Sequence, residues 1–405
     1  MRFALLPLAL ALPLVAAARA GHVSEDSVPA GSPVDATERN AVPVQTPFEL
    51  TLGGRLHVHV SRHRGDDPPA RATDGADLRR ARIKLSGRLD GDWSFTAEVD
   101  AADPDQPVRD FWLRYDGFDG IGITAGHVKQ PYSLALETSS NDLPFVERGI
   151  DAALIAPFVD RAVGVRIDLS RGRWFAAAGV YGERAGESGS GWGTTARFVY
   201  APVAETSRVV HLAVRAAYRE PDAAAEPVRI RDETTDFSSL HIVDTGPLAD
   251  VERVVLVGPE AALVSGPFSL FAEYTLADVD RGASSASFDA WHIGAAWTIG
   301  GESRADAYSL ESGKFQRLQP TRAFSRGAGG GTWELVARYA SLDLNDGAFV
   351  GGDEERLTLG ANWYVNRHVR TMLDWSRIVD TDESNAVRAA AVGLDVITLR
   401  AELSF

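Results

Sequence analysis

Cysteine is absent from the 405 residues, which excludes a disulfide framework, thiolate metal ligands and a cysteine nucleophile. Beyond the first twenty residues no apolar run approaches the roughly 18 residues of a transmembrane helix. No Gly-rich phosphate loop lies between a strand and a helix, and neither G-x-S-x-G nor H-E-x-x-H occurs, so the common nucleotide, hydrolase and zinc-protease signatures are missing. A basic excess is missing too. The formal charge is −15, which argues against nucleic acid as a partner.

What is present begins with an export signal. Arg2 supplies a positive start, Phe3 to Ala17 is almost wholly apolar, and Ala18-Arg19-Ala20 reads as a cleavage site. Residues 1–20 are therefore expected to be a signal peptide, and 21–47, rich in Ser, Pro, Asp and Ala, a flexible lead-in. Without the signal's two arginines, 39 basic side chains face 56 acidic ones, a net of −17.

From Phe48 to Phe405 apolar and polar residues alternate in segment after segment. In the clearest one Arg80, Arg82, Lys84, Ser86 and Arg88 interleave with Ala81, Ile83, Leu85, Gly87 and Leu89. A strand places these two sets on opposite faces. Asp90-Gly91 then supplies a hairpin turn, and Trp93, Phe95, Ala97 and Val99 continue the alternation. Sixteen strands are expected in all, at 48–60, 79–89, 93–101, 109–116, 121–128, 161–169, 173–182, 191–201, 208–219, 251–265, 268–279, 287–299, 332–344, 354–365, 369–379 and 390–405.

An even number of alternating segments, 38 glycines for turns and aromatics near strand ends (Trp93, Phe111, Trp192, Tyr218, Trp333, Trp375) point to a closed antiparallel transmembrane barrel over 48–405. Long connections near 61–78, 129–160 and 220–250 fall on one side and tight turns on the other, as a barrel with both termini in the periplasm requires. The exception is 300–331, about thirty residues where a periplasmic turn is expected. The ending Leu403-Ser404-Phe405 is the kind that outer-membrane assembly machinery engages. Outer-membrane lipid and lipopolysaccharide are the expected surroundings.

The inward face carries the functional reading. Strand phase aims Arg55, Arg80, Arg82, Lys84, Arg88, Arg114, Arg166, Arg197, Arg215, Arg219, Arg338 and Arg356 into the lumen, with Lys129 at the start of the 129–160 loop. Confined cations focus a field that draws anions, and guanidinium forks suit oxyanions. The alternative is that these arginines pair with luminal Glu98, Asp100, Asp168, Glu334 and Asp374 and only brace a wet interior. The loop itself is either folded into the pore or a plain extracellular cap. His57 and His59 share one strand face with His63 nearby, but no carboxylates join them at ligand spacing, so no metal and no other cofactor is expected. No catalytic residues are assigned and the chain is not expected to be an enzyme. A general diffusion porin and a barrel adhesin remain the competing classes.

The chain resembles the phosphate-selective porin O and P family. The resemblance is carried by Leu78 to Leu89 with Trp93-Ser94-Phe95, by Gly122-Ile123-Thr124-Ala125-Gly126-His127-Val128-Lys129-Gln130-Pro131-Tyr132-Ser133, and by Thr138-Ser139-Ser140-Asn141-Asp142 with Glu147-Arg148. Trp333-Glu334-Leu335-Val336-Ala337-Arg338-Tyr339 and Gly360-Ala361-Asn362-Trp363-Tyr364 continue it. It implies a sixteen-stranded homotrimeric porin, passive passage of small anions such as phosphate or polyphosphate, an arginine-lined pore, and a third extracellular loop narrowing it. Members that bind phosphate carry several lysines on that loop; here Lys129 stands alone near its start.

Overall fold

The computed structural model describes residues 48–405 apart from 66–67, 70, 188, 223–226, 236–237, 283 and 348. The expected signal and lead-in lie outside the described residues. Sixteen strands form one closed antiparallel barrel. In chain order they are β1 (Glu49–Arg64), β2 (Gly75–Leu89), β3 (Trp93–Asp100), β4 (Val108–Phe118), β5 (Ile121–Lys129), β6 (Arg161–Arg171), β7 (Trp174–Tyr181), β8 (Trp192–Glu205), β9 (Arg208–Glu220), β10 (Arg253–Ser265), β11 (Phe268–Asp280) and β12 (Ser285–Ile299). A small hairpin, β13 (Tyr308–Ser309) and β14 (Lys314–Phe315), interrupts the series before β15 (Thr332–Asp346), β16 (Phe349–Tyr364), β17 (Val369–Thr381) and β18 (Asp395–Ser404).

The alternation becomes two chemically distinct walls. On β8 Gly193, Thr195, Arg197 and Val199 point inward, while Ala196, Phe198 and Tyr200 look out. The outer wall is apolar to an extent no water-soluble sheet would show, with Phe111 65% and Val214 60% exposed. Aromatics gather at strand ends, where Trp174 stacks on Tyr200 with ring centroids 4.1 Å apart. The Asp90-Gly91 turn has φ of 52° and 76°, the left-handed pair that a two-residue hairpin needs.

Closure joins β1 to β18 in a register from Arg55 opposite Ser404 to Arg64 opposite Asp395. The chain end completes the seam, since Gly54 N donates to Phe405 O at 2.9 Å and Phe405 N to Gly54 O at 3.1 Å. Gly54 is required there: a Cβ would lie 2.7 Å from the Phe405 ring and 2.6 Å from Arg82 O.

All sixteen expected strands are found, several longer than expected. Strand β1 runs to Arg64 and β8 to Glu205, because their last residues still find partners across the ladder. The final strand starts at Asp395 rather than 390. The short helix α3 (Ala386–Ala391), capped by the Asn385 side chain accepting from Val387 N and Arg388 N, occupies the preceding stretch.

Two connections enter the barrel. Loop 130–160, called L3 here, carries the short helices α1 (Leu134–Glu137) and α2 (Ala152–Ile155). It crosses the lumen, reaching β10 and β11 through Leu134 N to Glu260 (2.8 Å) and Ala135 N to Glu273 (2.7 Å), and β1 through His57 to Asn141 (2.9 Å). The long periplasmic connection 300–331 is the second. Its 3₁₀ turn (Arg304–Ala307) and the β13–β14 hairpin fold up into the lumen, fixed by Arg304 on Glu334 (2.6 and 2.8 Å), Arg317 on Glu402 (2.5 Å) and Tyr308 on His211 (2.7 Å). An apolar cluster of Ile230, Leu240, Ile242 and Val243 with Leu154, Phe158, Leu256, Leu342 and Ile378 fills the upper lumen on the side of β10 to β17. Open space is left along β1 to β6.

Candidate functional site

Three connected cavities mark the open path. An upper one of about 810 Å³ is bordered by Arg79, Arg80, Glu147, Arg148, Arg338 and Arg356. A middle one of about 580 Å³ lies between the β1–β6 wall, L3 and the β13–β14 hairpin. A lower one of about 1160 Å³ opens beside Thr51, Arg367 and Phe405. Arg80 and Arg148 border both upper and middle cavities, and Arg55, Lys84 and Glu98 both middle and lower ones. These residues therefore mark the two necks.

Most of the expected arginines face inward but are spent on carboxylates. Arg55 meets Glu98 at 2.8 Å, Arg82 meets Asp100 at 2.6 Å and Glu98 at 3.1 Å, and Arg80 meets Glu147 at 2.7 Å. Arg114 pairs with Asp116 and Asp168, and Arg166 with Asp168 at 2.7 Å and Glu137 at 3.1 Å. Near the extracellular end Arg219 holds Glu183 at 2.5 Å, and Arg356 bridges Glu354 (2.6 Å) and Asp232 (3.2 Å). For these the bracing alternative describes the geometry, because each guanidinium has at least one carboxylate partner, which Arg80 shares with other arginines.

Arg197 and Arg215 differ from the expectation more sharply. Both side chains are 0% exposed, so they face the interior without touching the path; L3 and the periplasmic hairpin cover them. Arg197 binds Glu260 (2.5 Å) and Gly313 O (2.7 Å). Arg215 forms an ion pair with Glu273 (2.8 Å) and donates to Pro259 O (3.2 Å) and Tyr274 O (3.1 Å). The β10–β11 ladder is interrupted between Val257–Leu276 and Glu260–Glu273, where Pro259 has no N–H to give. Arg215 donates to the Tyr274 carbonyl in that gap. Arg88 is exposed at the periplasmic end of β2, away from both necks.

Four cations of the middle cavity have no carboxylate ion pair among the described residues: Lys84, Lys129, Arg148 and Lys314. Three of them converge on carbonyls of one turn of L3. Lys129 Nζ donates to Leu136 O (2.6 Å), Arg148 to Ala135 O and Thr138 O (2.8 Å each), and Lys314 Nζ to Glu137 O (3.4 Å). Neutral acceptors fix the side chains without cancelling their charge. Burial and the adjacent Arg80 draw the Arg148 guanidinium down to about 10, so it stays charged at neutral pH. Among the described residues Arg338 has no carboxylate ion pair either; it lies over the Phe145 ring at 4.2 Å and donates to Glu147 O.

Lys314 and Arg148 were not among the residues expected from strand phase, and neither was Arg400, which donates to Glu147 at 2.6 Å. Arg400 could have been found, since it continues the inward phase of the last strand. Arg148 and Lys314 stand on irregular segments where period two says nothing. The only sequence signal for Lys314 is the excess length of 300–331. The histidines serve the same network, His59 accepting from Arg400 Nε at 2.7 Å.

The phosphate-selective porin O and P family description matches residues 50–405. Porin O of Pseudomonas aeruginosa is 27% identical over 405 aligned positions, covering 89% of this chain and 90% of that protein. An uncharacterized protein of Caulobacter vibrioides is 26% identical, covering 80% of this chain and 67% of its own. Among solved structures, an anion-selective porin from Comamonas acidovorans (TM-score 0.53, 12% identity, 89% of this chain and 100% of that one) and a trimer form of OmpT from Vibrio cholerae (0.53, 11%, 88% and 99%) share the fold. With its closed barrel and cation-bordered path, the chain belongs to the phosphate-selective porin O and P family and is an anion channel of the Gram-negative outer membrane.

Proposed function

We propose that small oxyanions, phosphate and short polyphosphate among them, diffuse along the β1–β6 wall and are selected where Lys84, Lys129, Arg148 and Lys314 border the middle cavity. The observation that carries this reading is the convergence of three of these cations on neutral carbonyls of residues 135–138, with no carboxylate ion pair of their own among the described residues. A permeating anion then replaces its hydration with fixed donors at little reorganisation cost. The paired arginines add shape and hold L3, and the upper cavity's arginines gather anions at the mouth.

Bilayer recordings of the refolded protein test this. Chloride current should be anion-selective, should saturate, and should fall as phosphate is added. Nearly ohmic conduction with mild selectivity and no phosphate block would instead support a general diffusion porin. We further infer a homotrimer, removal of residues 1–20 on export and recognition of Phe405 during assembly. The trimer rests on the trimer form of OmpT, which shares the fold, the export signal on the Arg2 to Ala20 pattern and the last on the seam at Gly54.

A further inference from the structure

Glu147 borders the upper cavity. Its carboxylate receives Arg80 through both terminal nitrogens (2.7 and 3.0 Å), Arg400 at 2.6 Å, and lies 3.4 Å from Arg79 Nε. Three guanidiniums thus share one carboxylate, and Arg400 also donates through Nε to His59 Nε2. While its arginine partners Arg80 and Arg400 are 6% and 0% exposed, the Glu147 side chain is 32% exposed toward the upper cavity. Arg80 stands at the neck between upper and middle cavities.

The loop is also held here by contacts other than the carboxylate. Glu147 O accepts from Arg338 (3.1 Å), Val146 N donates to Asp374 (2.8 Å), and Arg148 is tied to Ala135 O and Thr138 O (2.8 Å each). These contacts flank the residue on both sides and do not involve its carboxyl. A carboxylate with planar geometry, bidentate on one arginine and shared with others, occupies the position that a phosphate or carboxylate solute would take.

We propose that Glu147 is a tethered counter-anion: it occupies the Arg79–Arg80–Arg400 station in the resting channel, and a permeating oxyanion must displace it into the upper cavity to pass the neck. Glu147 is then a specificity-determining residue that weakens retention of anions at the neck and keeps the station from trapping them. The arginines around it hold its carboxyl well below the usual carboxylate range despite burial, so ordinary changes of pH do not vacate the station. This rests on the anion-channel reading above and deepens it.

The test is phosphate block of chloride current through the full-length refolded protein, comparing the native chain with Glu147→Gln and Glu147→Asp. Glu147→Gln should shift the reversal potential further toward anions and lower the half-blocking phosphate concentration by about fivefold, the scale of one displaced ion pair. Glu147→Asp should restore a block close to native. An unchanged block in Glu147→Gln overturns the proposal. So does a larger, noisier and less selective current, or failure of that variant to assemble, since either would make the carboxylate an anchor of L3. A native channel insensitive to phosphate would sink the anion reading and this inference together, whereas native sensitivity with an unchanged Glu147→Gln sinks the inference alone.

Discussion

Replacing Arg215 by Met and Lys314 by Gln separates two roles that strand phase assigns alike to inward cations. Arg215 is enclosed and answers Glu260, Glu273 and two carbonyls. Removing one partner of such a buried network leaves charge uncompensated at a cost of about 3–5 kcal/mol, and the Tyr274 carbonyl loses its donor for about 1–3 kcal/mol more. Lys314 makes one hydrogen bond to a carbonyl, at 3.4 Å, so its removal should cost less than about 1 kcal/mol of stability. Its charge, however, offers a solute anion a charge-assisted contact of about 1.5–3 kcal/mol, or roughly ten- to hundredfold in affinity. Heat-modifiability on gels reads barrel stability, and phosphate block in bilayers reads affinity. Arg215→Met should lower the unfolding temperature markedly with selectivity intact in the folded fraction; Lys314→Gln should do the reverse. Altered selectivity without destabilisation in Arg215→Met, or an unchanged block in Lys314→Gln, would refute the division.

Three other outcomes follow from the geometry. Gly54→Val should stall closure, because its side chain collides with the Phe405 ring; slower appearance of the heat-modifiable form measures this, and a native assembly rate would contradict it. Arg304→Met breaks the doubly hydrogen-bonded pair with Glu334 and should loosen the 300–331 insertion, raising unitary conductance and exposing Lys314 to trypsin added from the periplasmic side. Burial pushes the Glu137 carboxyl up, but Arg166, Lys314 and Lys129 outweigh it and hold it at about 2 against an ordinary 4.5. A depressed carboxyl stabilises above its unfolded value and loses that stabilisation as pH falls through the folded one, here about 3 kcal/mol between pH 4.5 and 2. Open-channel noise should rise across that window and be flat in Glu137→Gln.

The barrel was legible because lipid and a wet lumen demand opposite chemistry from alternate residues. Arg80, Arg82 and Lys84 on one side of β2 and Ile83 and Leu85 on the other leave no other fold for that stretch. The pairing of the arginines was not legible, since partners such as Arg197 and Glu260 lie 63 residues apart and meet only once the barrel closes. The middle-cavity cluster was half legible. Lys84 follows strand phase and Lys129 stands at the start of the expected loop, whereas Arg148 and Lys314 reach the same turn of L3 from segments without period, guided by carbonyls that every residue type carries. Arg215 shows a further limit, because the need for it arises from Pro259 on the neighbouring strand.

The central claim is that the path beside β1 to β6 selects anions through cations bound to carbonyls rather than to carboxylates. The reversal potential of the native protein in a potassium chloride gradient, followed while phosphate is titrated, tests it most directly. The account predicts an anion-selective potential and a chloride current that falls saturably with phosphate; a cation-selective potential, or a current indifferent to phosphate, would contradict it.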